Sequence, residues 1–297
     1  GSWASASPVT DGERLLAFFG SYGLYCYDLE GNIQWQKEFG QMDILYDFGE
    51  GSTPVLYKDT VIINWDHEGQ SFIVALDKRT GDEKWRQNRE ETTTWSTPIV
   101  VTVDDKLQVV TSGNRRSRGY DFNSGELIWE AGGLHMNTIP TPVFNDGVVY
   151  VASGYQKTVM QAIRITGAKG DISGTDAIIW QQEKNVPYTP SQLLYDDVLY
   201  GLKSNKGILS CYDPKSGELH YGPERLPGIK GIFSSPVGAG GKVYLIGRNG
   251  ASVVLKSGKS YQVLAENKLD DNFDASPAIE GDELYLRGHK YLYCIAK

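Results

Sequence analysis

A short phrase recurs through the chain and constrains its fold more than any other feature. LYCYDLEGNIQW (Leu24 to Trp35) contains an apolar strand, an Asp, a tight turn at Gly31 and an aromatic residue four positions later. Related phrases end at Trp85, Trp129, Trp180, Tyr221 and Tyr261. Self-similarity at a regular period is typical of repeat architectures, in which each copy is one supersecondary unit.

Each copy opens with Ser or Thr followed by Pro. These prolines are spaced by 46, 44, 44, 48, 46 and 41 residues, from Pro8 to Pro277. Four short strands joined by hairpin-length turns in each period of about 45 residues are typical of a propeller blade. We therefore predict an all-β chain, a seven-bladed β-propeller of four-stranded antiparallel blades. It would form a single domain over residues 1–297, with blades starting near residues 7, 53, 97, 141, 189, 235 and 276.

Two copies depart from the pattern. The fourth carries a polar, Gly-rich insertion, TGAKGDISGTDA, which is predicted to be a surface loop on the outer rim. The seventh stops after its third strand, and no segment before Val9 is predicted to supply a fourth. Either the last blade has three strands, or the chain is a piece of a longer protein. An N-terminal segment or a partner would then complete that blade.

Composition and charge exclude several classes of protein. The formal charge of −8 disfavours nucleic-acid binding, which depends on neutralised phosphates. No apolar run approaches the ~18 residues of a membrane span, and no signal segment begins the chain. Cys26, Cys211 and Cys294 occupy the repeat position where Ala75 stands in the second copy, which predicts a small buried side chain rather than a metal or redox site.

The repeated aromatic and acidic residues are predicted to be structural. An aromatic ring at a fixed place on the outer strand can wedge between neighbouring blades and bury a large apolar area. The repeated Asp can cap the amides of the turn that follows it. The aromatic set is Trp35, Trp85, Trp129, Trp180, Tyr221 and Tyr261.

Candidate binding residues come from the connections that a closed ring of blades would gather on one face. They are Asp66, His67, Glu68, Trp95, Asn114, Arg115, Arg116, Asn205, Lys206, Arg248, Asp274 and His289. Basic residues in five of the seven turns favour an anionic ligand, such as a carboxylated or sulfated glycan or an acidic peptide. The alternative is that these are solvated turn residues.

Asp66-His67-Glu68 is the densest titratable cluster among these candidates. Paired acids with a His could support general acid–base chemistry or hold a divalent cation. Consecutive residues of one tight turn rarely point to a common centre, so surface decoration is the favoured interpretation.

The pattern SPV…VYV…LYALD…TG…W resembles the repeat of PQQ-like (quinoprotein-type) β-propellers, which are WD40/YVTN-like in architecture, over essentially the whole chain. WASASPVTDGE, YGLYCYDLEGN and FDASPA are most similar to the uncharacterised secreted bacterial members of this family. The family also contains quinoprotein alcohol and glucose dehydrogenases and a periplasmic scaffold of outer-membrane protein assembly. The resemblance implies a bacterial protein that is periplasmic or secreted.

Three functions are compatible with this resemblance. The first is a non-enzymatic binding or scaffolding propeller whose loop face holds a protein, an anionic glycan or a small molecule. The second is a PQQ-dependent oxidoreductase of the alcohol or sugar dehydrogenase type. It would need calcium, with a stacking aromatic such as Trp95 or Trp65 and acids such as Glu50 or Asp274. The third is a hydrolase or lyase acting on an anionic glycan. Seven repeats rather than eight, and the lack of adjacent cysteines, weigh against the second.

Overall fold

The computed structural model describes residues 5–203 and 205–296. In this part of the chain every regular element is a strand, apart from two 3₁₀ turns at Gly20–Tyr22 and Leu45–Asp47. No helix of the described residues is long and apolar enough to cross a membrane. The all-β class predicted from the repeat is confirmed.

The strands form seven successive sheets, of which the first three cover the chain up to Gly132. The first contains β1 (Val9–Thr10), β2 (Arg14–Phe18), β3 (Leu24–Asp28) and β4 (Ile33–Lys37). The second contains β5 (Val55–Tyr57), β6 (Thr60–Trp65), β7 (Ser71–Asp77) and β8 (Glu83–Arg89). The third contains β9 (Ile99–Val103), β10 (Lys106–Ser112), β11 (Arg116–Asp121) and β12 (Leu127–Gly132), to which the later β16 (Gly170–Asp171) is added.

The remaining four sheets repeat this order. The fourth contains β13 (Val143–Asn145), β14 (Val148–Ser153), β15 (Val159–Arg164) and β17 (Ile178–Gln182). The fifth contains β18 (Leu193–Tyr195), β19 (Val198–Lys203), β20 (Ile208–Tyr212) and β21 (Leu219–Arg225). The sixth contains β22 (Val237–Ala239), β23 (Lys242–Ile246), β24 (Ala251–Lys256) and β25 (Val263–Lys268). Among the described residues the last contains three strands, β26 (Ala278–Glu280), β27 (Glu283–Arg287) and β28 (Leu292–Ile295).

These meanders are the blades of a seven-bladed β-propeller, with four antiparallel strands per blade and three in the last, as the sequence predicts. The prediction that no segment before Val9 supplies the fourth strand depends in part on residues 1–4, which lie outside the described residues. The chain forms two compact units. One contains the residues up to Pro142 with Arg164–Ala177, and the other contains Val143–Ile163 with the residues from Ile178 onward. The expectation of a single domain stays a prediction.

A small residue on the third strand faces the repeated aromatic residue on the fourth. This pairing recurs in five of the six complete sheets, as Cys26–Trp35, Ala75–Trp85, Gly119–Trp129, Ala162–Trp180 and Cys211–Tyr221. The register shifts immediately after the pair in all five. Such a bulge increases the local twist of the fourth strand and redirects its side chains. The repeated phrase therefore encodes a pair and a bulge together.

Three of the tryptophans also dock on the turn of the following sheet. The indole N–H groups of Trp35, Trp85 and Trp180 donate to the carbonyls of Lys78 (3.1 Å), Phe122 (2.8 Å) and Pro214 (2.8 Å). Each of these carbonyls belongs to the residue after the repeated Asp. That Asp accepts the next amides, as when Asp77 accepts the N–H of Arg79 at 2.8 Å. A capped turn thus becomes the receptor for the indole of the preceding sheet.

The other aromatic positions depart from this arrangement. The Trp129 indole donates to Gln108 of its own sheet at 2.9 Å. The Tyr221 ring contacts that of Tyr261 at 5.8 Å, and Tyr261 itself lies just before β25.

The insertion in the fourth copy is not simply a surface loop. Its residues Gly170–Asp171 form β16, which runs parallel to β12, with Gly170 beside Trp129. The N–H of Ile172 donates to the carbonyl of Glu130 at 2.9 Å, and Ile172 is buried. The predicted outer-rim loop therefore adds a fifth strand to the third sheet, because its backbone pairs with the outer edge of β12.

The shared cysteine position is buried in two of its three copies. Cys26, Cys211 and the equivalent Ala75 are fully buried, as predicted, and burial raises the pKa of the Cys211 thiol to about 12. Cys294 is exposed, so the prediction is wrong there. The reason is that β28 pairs only with β27 in the described part of the chain, and no fourth strand covers it.

A docked indole also contacts the glycine of the turn that receives it. Replacing such a glycine by Ala should therefore cost more stability than the same change at a turn glycine with no indole beside it. Gly125 and Gly31 both have left-handed φ, of +75° and +88°. A Cβ on Gly125 would lie 2.5 Å from the Trp85 indole, whereas one on Gly31 meets nothing within 4 Å. We expect Gly31→Ala to cost about 1 kcal/mol from its backbone conformation and Gly125→Ala about 2 kcal/mol more from overpacking. Urea denaturation measures both, and equal costs would contradict the docking role.

Candidate functional site

Two aromatic side chains project from the connection between the first and second sheets. Tyr46 is 73% exposed and Phe48 is 49% exposed, and their ring centroids lie 5.7 Å apart. Phe48 also contacts the ring of Trp95, at 6.3 Å. We call residues 43–51 (DILYDFGEG) the aromatic loop. Exposed aromatic groups of this kind, when they are contiguous, mark surfaces that bind other molecules.

The backbone of the aromatic loop is strained at its centre. Tyr46 and Asp47 are consecutive non-glycine residues that both have a φ of 54°. Such residues cost free energy and persist only where the surrounding structure holds them, and they cluster at functional sites. The conformation that displays Tyr46 and Phe48 is therefore imposed by contacts elsewhere.

Hydrogen bonds anchor the first half of the loop. The Asp43 N–H donates to Nδ1 of His67 at 3.0 Å, and the Asp43 carbonyl accepts the N–H of Glu68 at 2.8 Å. The Leu45 N–H donates to Oγ1 of Thr93 at 3.0 Å. Thr93 in turn donates its N–H and its hydroxyl to Oε1 of Glu68, at 3.1 and 2.6 Å. His67, Glu68 and Thr93 thus form a platform under the loop.

The second half of the loop is held by Ser21 and Trp95. The Glu50 carboxylate accepts both the N–H and the hydroxyl of Ser21, and the Ser21 hydroxyl accepts the N–H of Met42 at 2.8 Å. The indole N–H of Trp95 donates to the carbonyl of Gly49 at 2.7 Å. With both ends fixed, the loop presents its aromatic residues in one arrangement, which lowers the entropy lost on binding.

The Asp66-His67-Glu68 cluster is not surface decoration, because two of its members are buried. Nδ1 of His67 accepts the amides of Asp43 and Gly69, so its Nε2 carries the proton that faces the Gln70 carbonyl at 3.2 Å. Both nitrogens of the His67 ring are therefore engaged by the protein itself. The three side chains point to three different sets of partners, and they do not share a centre that could hold a substrate or a cation.

Asp66 belongs to a fully buried ion pair. Its two oxygens accept Nε of Arg89 at 2.8 Å and a terminal nitrogen at 3.1 Å, and both side chains are 0% exposed. Asn64 and Thr94 donate to the same carboxylate, at 2.9 and 2.7 Å. Burial is the largest single contribution and lowers the pKa of Arg89, but the negative charge of Asp66 leads a set of opposing contributions that together raise that pKa. Arg89 therefore keeps its positive charge although it is buried.

A second chain of charges extends from the interior to the surface of the same unit. Glu91 contacts Arg118 directly, and Arg118 lies 3.2 Å from Glu130. Arg116 then bridges Glu130 and Asp171, at 2.9 and 3.0 Å. Burial raises the pKa of Glu91 to about 7 although the cations Arg89 and Arg118 oppose the rise. Arg116, a predicted ligand residue, is thus neutralised by carboxylates of its own sheet.

Three of the predicted residues meet in the other unit. Arg248 donates to Asp274 at 2.6 Å, and Nε2 of His289 lies 3.1 Å from the same carboxylate. The Arg248 guanidinium also lies 4.1 Å from the Phe233 ring centroid, a cation–π distance. Burial raises the pKa of Asp274, but the hydrogen bond from Arg248 leads a larger set of opposing contributions that lowers it overall. Asp274 thereby neutralises the basic groups beside it.

The remaining predicted residues lie apart from one another. Asn114 is buried and donates to the Thr92 hydroxyl at 2.7 Å and the Thr93 carbonyl at 3.0 Å, so it contacts Thr93 of the platform. Arg115 and Lys206 are exposed, and neither forms an ion pair with the described residues. The Asn205 carbonyl accepts the N–H of Ile232 at 3.1 Å.

The sequence-based list includes Trp95 but misses Tyr46 and Phe48. A signal was available in QMDILYDFGEGS, which places several large apolar residues in a connection rather than in a strand. No comparable signal identifies Arg89. Both Arg86 and Arg89 lie on β8, and the sequence does not show that Arg86 is exposed whereas Arg89 is buried.

Three of the four residues named for PQQ and calcium are already engaged within the protein. Trp65 is 2% exposed and stacks on Phe72 at 5.6 Å within the core. The Glu50 carboxylate is engaged by Ser21, and that of Asp274 by Arg248 and His289. Among the described residues no group of three His, Cys, Asp or Glu side chains could hold a metal ion.

The repeated sheets and their indole-docked turns define the class of protein, a seven-bladed β-propeller. A family model described as outer membrane protein assembly factor BamB matches residues 2–221 and 69–297. The chain therefore belongs to this family of PQQ-like β-propeller repeats, which confirms the resemblance in its sequence. No curated protein matches the sequence.

Solved structures share the fold at low identity. BamB from Moraxella catarrhalis is 16% identical with a TM-score of 0.72, over 98% of this chain and 84% of that chain. The C-terminal WD40 domain of Sif2 is 14% identical with a TM-score of 0.69, over 98% of this chain and 81% of that one. The computationally designed Ika8 protein is 10% identical with a TM-score of 0.55, over 100% and 98%. These likenesses concern the fold alone.

Proposed function

We propose that the protein is a non-enzymatic scaffold of the bacterial cell envelope, periplasmic or secreted, which binds a protein partner through the aromatic loop. The observation that carries this proposal is the pre-organised display of Tyr46 and Phe48 beside Trp95. The family description, an outer membrane protein assembly factor, supports a role in holding other proteins.

The chemistry of the aromatic loop suits a protein partner. Tyr, Trp and Phe are enriched at the centres of protein interfaces, where they fill pockets of the partner and carry most of the binding energy. Tyr46 and Phe48 have few rotatable bonds, and the platform already fixes the backbone that carries them. A partner would therefore gain apolar contact area at a small cost in conformational entropy.

The other functions have less support. An anionic ligand requires free positive charge. Arg116, Arg248 and His289 are engaged by carboxylates of the protein itself, so that of the predicted Lys and Arg residues only Arg115 and Lys206 have no ion pair among the described residues. A glycan hydrolase or lyase requires acids that can reach a substrate, whereas Asp66 is buried in its ion pair. A PQQ-dependent oxidoreductase would need the aromatic and acidic residues that are already engaged.

The aromatic loop is tested by capture from an envelope extract. Wild-type protein should retain a partner that the Tyr46→Ala/Phe48→Ala variant does not. With that partner purified, the variant should bind about 10-fold or more weakly, the usual effect of removing central aromatic contacts. Isothermal titration calorimetry measures the affinity. Both side chains are exposed, so the urea midpoint should change little.

Leu264→Ala provides the control, because Leu264 is an exposed apolar residue (45%) on β25 rather than in the loop. Its affinity should equal that of the wild type. Equal binding by the loop variant would contradict the proposal, as would an equal loss in the control.

A further inference from the structure

The aromatic loop carries several negative charges and no positive one. Its residues 43–51 include Asp43, Asp47 and Glu50 but no Lys or Arg. The side chains that anchor it add one further acid, Glu68, and again no Lys or Arg. A partner segment with positive charge would therefore be attracted to the loop, whereas an acidic segment would be repelled.

The Asp47 carboxylate lies in the chain between the two exposed aromatic residues, Tyr46 and Phe48. Asp47 is exposed, and among the described residues its side chain forms no hydrogen bond and no ion pair. The carboxylates of Glu50 and Glu68 are instead occupied by hydroxyl groups of the anchors. The loop thus presents a carboxylate that can still bind a cation, together with two aromatic rings.

The rest of the chain shows twice which group an aromatic ring and a carboxylate hold together. The Arg86 guanidinium lies 3.9 Å from the Phe72 ring centroid, and its Nε donates to Glu83 at 3.1 Å. In the other unit Arg248 lies 4.1 Å from its aromatic ring and 2.6 Å from its carboxylate. A planar guanidinium can stack on a ring while its edge donates to a carboxylate, which the compact ammonium group of Lys does less well.

We propose that the protein segment bound by the aromatic loop carries an arginine, which stacks on Tyr46 or Phe48 and pairs with Asp47. This inference rests on the function proposed above and names the chemistry of the partner at that site. The rings would supply the apolar contact, and the carboxylate would select a basic segment over an acidic or uncharged one.

A random dodecapeptide library displayed on phage provides the probe for this test. Clones that also bind the Tyr46→Ala/Phe48→Ala variant are removed first, so that the clones recovered on the wild-type protein depend on the loop. Among these clones arginine should be enriched about threefold or more over the unselected library, next to an apolar residue, and Asp and Glu should be depleted.

The affinity of the strongest peptide, measured by isothermal titration calorimetry, assigns the arginine to Asp47. Asp47→Asn removes the charge, and Asn tolerates the left-handed φ of this position, so the loop should keep its shape. The variant should bind about 5-fold more weakly, the upper end of what a partly exposed ion pair contributes. Replacing the peptide arginine by Lys should weaken binding to the wild-type protein by a similar factor.

Asp105→Asn is the matched control. Asp105 is an exposed acid without an ion pair among the described residues, and its φ of 60° is close to the 54° of Asp47. It lies in the turn between β9 and β10, at the end of β9 away from Trp95. The control removes the same charge from the same backbone conformation, so its affinity should equal that of the wild type.

The outcomes separate this inference from the function on which it rests. Loop-dependent peptides without enriched arginine would overturn the inference alone, as would equal binding by the wild-type and Asp47→Asn proteins or by the Arg and Lys peptides. An equal loss in Asp47→Asn and Asp105→Asn would also overturn it, because only the total charge of the protein would then matter. Recovery of no loop-dependent peptide would contradict the proposed function itself.

Discussion

Replacing Arg89 with Met should lower the free energy of unfolding by about 3–5 kcal/mol, the usual cost of leaving a buried charge without its partner. The Asp66 carboxylate is 0% exposed and would retain only the donors Asn64 and Thr94. The Thr111 and Tyr120 hydroxyls would also lose a common donor. Urea denaturation followed by tryptophan fluorescence measures the change.

The control is the same substitution at an exposed ion pair. Arg164 pairs with Asp176 at 3.7 Å with side chains 48% and 93% exposed, so Arg164→Met should cost less than about 0.5 kcal/mol. A double variant, Asp66→Asn with Arg89→Met, should recover part of the Arg89→Met loss because no unpaired charge remains. A similar small cost at both arginines would show that the buried pair contributes little beyond its packing.

Stability should fall as the pH rises through the range in which Glu91 ionises. Burial raises the pKa of Glu91 to about 7, from an ordinary value of 4.5. The folded state therefore binds this proton more tightly than the unfolded state does, and its stabilising contribution is complete below pH 4.5. The contribution is lost between pH 4.5 and about 7, and the difference between the two pKa values corresponds to about 3 kcal/mol.

The Glu91→Gln variant isolates this effect from the other titrating groups. In this variant Arg118 keeps its second carboxylate partner, Glu130. The variant has no titratable group at position 91, so this position no longer makes stability depend on pH. The free energy of unfolding, measured in urea at intervals from pH 4.5 to 8, should decline in the wild type relative to the variant. Parallel pH profiles for the two proteins would show that the Glu91 pKa is not raised.

The fold could be predicted from the sequence because its determinants recur locally. Four of the copies carry the small residue, the capping Asp, the turn glycine and the aromatic residue at nearly fixed spacing, and these four features specify one blade. The register of Cys26 with Trp35 and of Cys211 with Tyr221 shows the same pairing far apart in the chain. Agreement among many copies makes such a pattern readable without any knowledge of tertiary contacts.

The candidate site could be predicted only in part, because burial depends on partners remote in sequence. From the sequence Asp66 is predicted to be a turn residue. Only the structure shows that Arg89, 23 positions later, lies beside it. The cysteine pattern predicts burial equally for Cys211 and Cys294, but only Cys211 is covered by a fourth strand in the described residues. Tyr46 and Phe48 belong to no repeat, so no second copy indicates their role.

The late arrival of β16 has a consequence for how the protein is made. Gly132 ends β12, yet the strand that pairs with its outer edge begins at Gly170, after β13, β14 and β15. At about 5–20 residues per second, a translating ribosome would expose that edge for several seconds before its covering strand emerges. During this interval the nascent polypeptide would be vulnerable to chaperone capture or misassembly at the uncovered edge of β12.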